Sequence, residues 1–113
     1  MSPRIFALVA AAGLLLAAIA AGQEKRTMTG VITDDMCARA NHAQMQMGPT
    51  DAECVKACIL AHGAQYVLFD GEHAYTLSDQ QAPGKFAAQR VTVAGTVDVK
   101  KYSIQVESIA VAK

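Results

Sequence analysis

The chain has 113 residues, with ten basic and ten acidic side chains, and its formal charge is zero with neutral histidines. That balance leaves no basic footprint for nucleic acid or for an anionic membrane surface. The length suits one small domain, whose limited buried area makes any covalent or metal staple count for more.

Residues 1–22 read as a cleavable secretory signal, and residues 23–113 as a single folded domain. Arg4 and the free amine give a modest positive start, and the stretch from Ile5 to Ala21 carries no charge. Ala18-Ile19-Ala20 and Ala20-Ala21-Gly22 both fit the small-x-small pattern of signal peptidase sites. A permanent anchor needs about 20 apolar residues; this run is shorter, alanine-rich and ends in cleavage-type residues. No cysteine stands near its end, so no lipid attachment is expected. The expected location is periplasmic or secreted, with no membrane span left after cleavage.

Beyond the signal, Gln23 to Thr27 reads as a polar leader, and Met28-Thr29-Gly30-Val31-Ile32-Thr33 as a first strand ending at Asp34-Asp35. Met36 to Pro49 has no clear period and holds Cys37, His42, Met45 and Met47. Thr50 with Glu53 three residues on forms a capping-box signature. It predicts a helix from Asp51 to His62 closed by Gly63. At helical spacing Cys54, Cys58 and His62 share a stripe beside Val55 and Ile59, with Lys56 on the far side.

From Gln65 the period becomes two. Tyr66-Val67-Leu68-Phe69 and His73-Ala74-Tyr75-Thr76-Leu77 flank a hairpin marked by Asp70-Gly71. A connector, Ser78 to Gln89, contains Pro83-Gly84 and has helical character near Phe86-Ala87-Ala88. Val91, Val93, Val97 and Val99 then alternate with smaller residues, and Gly95 marks a bend. After Lys100-Lys101, the apolar residues Tyr102, Ile104 and Val106 give way to the opposite parity at Ile109 and Val111, which predicts a bulge near Glu107-Ser108. The string is mainly β and fits a small five-stranded barrel of the OB type, with one cysteine-bearing helix inserted between strands one and two. A two-layer domain of a sheet and a helix has the same order of elements.

Three cysteines in an exported chain raise two readings. Helical i and i+4 Cβ atoms lie about 5–6 Å apart, more than the roughly 3.5–4.5 Å of a disulfide. Cys37 is therefore a better bridge partner than Cys54 is for Cys58, and one thiol is left over. In the metal reading Cys37, Cys54 and Cys58 with His42 supply a Cys3His set for zinc. Soft thiolates near Met45 and Met47 suit copper(I) as well. His62 is the substitute histidine. The bland readings are a solvated His42, a His62 that favours the helix terminus, a surface His73, methionines as packing filler, and Asp34 and Asp35 pointing apart at a strand end. Tyr66, Phe69, Tyr75 and Tyr102 read as barrel packing.

No glycine-rich phosphate loop, serine elbow or Cys-x2-Cys redox pair is present, so no catalytic residue is assigned. The expected function is a non-catalytic binding module with a zinc, copper or structural-thiol site. Its alternatives are a disulfide-stapled interaction domain without metal and, less favoured, a thiol oxidoreductase, which requires an exposed thiolate of depressed pKa.

Gly30-Val31-Ile32-Thr33-Asp34-Asp35-Met36-Cys37, then His42, then Asp51-Ala52-Glu53-Cys54-Val55-Lys56-Ala57-Cys58, then Gly63-Ala64-Gln65-Tyr66-Val67-Leu68 resembles a family of small exported bacterial proteins of unknown function. The similarity extends through Val91-Thr92-Val93-Ala94-Gly95-Thr96-Val97. Here the gap from Cys37 to His42 is one residue longer than in those relatives. The resemblance implies the domain outline and the cysteine cluster, and no substrate.

Overall fold

Residues 22–37 and 50–113 are described in a computed structural model of the chain. Five strands run in the order β1 (Gln23–Asp34), β2 (Tyr66–Phe69), β3 (Ala74–Leu77), β4 (Arg90–Asp98) and β5 (Ser103–Val111), and one helix, α1 (Asp51–His62), lies between β1 and β2. The strands close into a barrel in the spatial order β1-β2-β3-β5-β4. This is the expected OB-like architecture, and the closed barrel replaces the two-layer alternative.

β1 is longer than its side chains announce. It pairs antiparallel with β4 from Gln23↔Asp98 to Val31↔Arg90, then with β2 from Val31↔Phe69 to Asp34↔Tyr66. The segment Gln23 to Thr27, expected as a leader, is therefore strand, although every residue in it is exposed. Its order comes from backbone hydrogen bonds to an otherwise open edge of β4, a contribution that hydrophobic patterning does not record.

The β4 pattern obeys the expected alternation, with Val91, Val93, Gly95 and Val97 inward. Val99 lies past the strand end and is exposed, so the last valine of that series is not core. Asp98 accepts hydrogen bonds from the N–H groups of Lys100 and Lys101, both at 3.0 Å, and so shapes the turn into β5. Pairing jumps from Ala94↔Ser108 to Gly95↔Val106, which leaves Glu107 as the bulged residue. A Cβ on Gly95 would run into the Gln105 carbonyl, so only glycine lets β4 and β5 approach there. Closure is completed by a short parallel pairing of β3 with β5, Thr76↔Ser103 and Leu77↔Ile104.

Inside, Ile32, Leu68, Leu77, Val91, Val93, Val97 and Ile104 meet Val55 of α1, Tyr66 and Tyr75. Each fully buried aliphatic side chain contributes about 1.5–3 kcal/mol. Between β3 and β4 a 3-10 helix spans Ala82–Phe86 with Pro83 in its first turn, earlier than the helical character expected at Phe86-Ala87-Ala88. The chain leaves it through Ala88, whose φ of 64° ends any helix. Of the expected barrel aromatics, Tyr102 is exposed and stands edge-on to His73, with ring centroids 4.8 Å apart. Among the described residues, no helix is long and apolar enough to cross a membrane.

Candidate metal centre

The cysteines converge because two local structures deliver them to one place. The first is the turn at the end of β1. Asp34 Oδ1 accepts hydrogen bonds from the N–H groups of Met36 at 3.0 Å and Cys37 at 2.9 Å. The Thr33 hydroxyl donates to the Cys37 carbonyl at 3.3 Å. An aspartate bonding the backbone two and three residues on is a compact turn former, and here it swings Cys37 inward to a buried position. Asp35, one residue along, faces out, and its carboxylate accepts from the Gln65 N–H at 3.1 Å. The two acids point apart as expected, and Asp35 staples the end of β1 to the start of β2.

The second is α1. Its N-cap is Thr50, whose Oγ1 accepts from the Glu53 N–H at 3.2 Å. Glu53 answers through its carboxylate, which receives the Thr50 hydroxyl at 3.4 Å. At the other end Gly63 is left-handed, with φ of 65°. Between these ends Cys54, Val55 and Cys58 form the buried stripe. His62 is exposed, so the substitute histidine stays on the outside of the helix.

The three sulfurs of Cys37, Cys54 and Cys58 all lie within 4.8 Å of one another, and all three residues are buried. No disulfide links them. Burial pushes the Cys37 thiol up to about 12, with the Asp34 charge and the other two cysteines adding to it. Cys58 is raised for the same leading reasons, burial and then Asp34, while its hydrogen bond with Cys37 acts the opposite way. Both sulfurs therefore carry protons at neutral pH, which is the reverse of an exposed, activated thiolate.

Three of the four expected ligands are thus brought together. The fourth, His42, lies outside the described residues, as do Met45 and Met47. Met36, expected as packing filler, is exposed. Sequence reasoning missed that Asp34 is buried on the turn that carries Cys37. It is completely buried, and its Oδ2 is, among the described residues, the one buried side-chain oxygen or nitrogen with no hydrogen-bond partner. The available signal was the spacing itself: an aspartate three residues before a cysteine at a strand end fits a turn that turns both side chains inward.

What the arrangement offers chemically is a compact set of soft donors in a dry setting, with a carboxylate beside it. Comparison with protein-family models, with curated proteins and with solved structures finds no match to this chain.

Proposed function

We propose that the protein is an exported, non-catalytic binding module whose Cys37, Cys54 and Cys58 hold a thiophilic metal ion, zinc or copper. The observation that carries this reading is the convergence of three buried sulfurs within 4.8 Å. A metal-bound thiolate set of about this size is a known structural composition, and thiolates also select copper(I). A folded site of this kind couples binding to folding, because an unfolded chain holds no preformed ligand set. Export is supported by the apolar leader and by the position of β1, whose first residue, Gln23, directly follows the expected cleavage site.

The test is a native mass spectrum of protein exported into a periplasm and purified without chelator or reductant, alongside Cys37→Ser. The expected species lacks residues 1–22 and carries a zinc or copper mass, with no loss of two hydrogens. Cys37→Ser should lose the ion. A metal-free species lighter by two hydrogens would instead show a disulfide and replace the metal module with a stapled interaction domain. Tight metal retention in Cys37→Ser would also sink the three-thiol centre.

A further inference from the structure

The turn at the end of β1 does not need a charged residue. Its two hydrogen bonds, from the N–H groups of Met36 and Cys37, both end on Asp34 Oδ1. An asparagine carbonyl would accept them equally well. Turn formation therefore accounts for one carboxylate oxygen and leaves the other unexplained. That other oxygen, Oδ2, is buried and has no hydrogen-bond partner among the described residues, on a residue with no exposed surface. A buried carboxylate oxygen in that position is costly unless a cation or a donor meets it. Among the described residues no lysine or arginine pairs with Asp34, and the ion pairs there are Lys25–Glu107 and Arg26–Glu24, both at the surface. The Cys37 N–H donates to Oδ1 at 2.9 Å, so the carboxylate belongs to the same turn that carries the Cys37 sulfur.

We infer that Asp34 Oδ2 is the oxygen donor of the metal centre, which makes the site Cys3Asp and sets its preference for zinc over copper(I). This rests on the three-thiol reading above and adds the fourth ligand and the metal class. The carboxylate is not one of the three donors that lie within 4.8 Å of one another, but it is fixed on the Cys37 turn through Oδ1, which leaves Oδ2 as the oxygen available to a cation. A carboxylate is an ordinary zinc ligand. Copper(I) favours thiolate and thioether donors and gains little from a hard oxygen. Charge points the same way: a divalent ion neutralises more of a buried set of thiolates and one carboxylate than a monovalent ion does.

The experiment is X-ray absorption on the zinc-loaded wild-type protein, with zinc and copper(I) competition titrations of the wild type and of Asp34→Asn. The asparagine keeps the Oδ1 acceptor and removes the oxygen ligand. The expected wild-type spectrum shows three sulfurs at about 2.3 Å and one oxygen at about 2.0–2.2 Å, without imidazole scattering. Asp34→Asn should lose about tenfold or more in zinc affinity and hold its copper(I) affinity within about twofold. Imidazole scattering in place of the oxygen would overturn the inference and leave the thiol centre standing, as would unchanged zinc affinity in Asp34→Asn. A wild-type protein that binds neither ion would overturn the thiol centre itself and this inference with it. If Asp34→Asn does not fold, the wild-type spectrum alone decides between oxygen and imidazole.

Discussion

Cys37 and Cys58 are protonated where a metal must find thiolates, so uptake of an ion has to displace their protons. Burial is the main cause in both, followed by the Asp34 charge. At pH 7 zinc binding should therefore release at least the two protons of this pair, measurable as a buffer-dependent binding enthalpy. Release of none would mean that these sulfurs are not ligands. The sign for the metal-free fold follows from the same shift. Cys37 rises from 9.0 to about 12 on folding, so between those values the native state binds more protons than the unfolded one. The stabilisation is fully present below the unfolded value and is lost as pH rises toward the folded one. Denaturation of the metal-free protein should accordingly become easier above about pH 9, and a flat profile there would contradict the burial of this thiol.

At the scale of elements, α1 carries two of the three sulfurs, and its position depends on its ends as well as on Val55. Thr50→Ala removes the acceptor for the Glu53 N–H and should cost about 1 kcal/mol of stability, read as a lower urea midpoint. Cys54 closes the first turn through its N–H on the Thr50 carbonyl at 2.9 Å, a backbone bond that alanine keeps, and Cys58 lies one turn further on, so the same variant should bind metal with the wild-type stoichiometry. Loss of a bound ion would show that the cap also positions the ligands. The helix ends were legible from residue type alone, since Thr50, Glu53 and Gly63 act through local hydrogen bonds and backbone conformation. The β1 boundary was not. The exposed polar run Gln23 to Thr27 is held by pairing with β4, a partner about seventy residues distant in sequence whose edge no local pattern announces. The bulge at Glu107 was legible because a shift in strand register leaves a visible change of apolar parity.

At the scale of the whole molecule, the cluster ties the β1 terminus to α1 across one end of a small barrel. An ion that binds only the folded state stabilises it by mass action, about 2.7 kcal/mol at a free concentration one hundred times Kd. For a domain of this size that corresponds to a rise in Tm of roughly 10 °C or more, reversed by a chelator. An unchanged melting curve on zinc addition would remove the ion from the structural account of the fold.

The sequence by itself determined what depends on near neighbours: the capped helix, the hairpin at Asp70-Gly71, the alternation of β4, the bulge in β5 and the cysteine-rich stretch. Five strands with a helix after the first fitted a barrel and a two-layer sheet-and-helix domain alike. Tertiary structure alone decided that the barrel closes through β3 and β5, and that Cys37 reaches Cys54 and Cys58. It also decided that His62 faces outward while Asp34 faces inward. The physical reason is the same in each case. Local hydrogen bonding and periodicity act over a few residues and are written in their order, whereas burial and the meeting of distant side chains exist only once the sheet has closed.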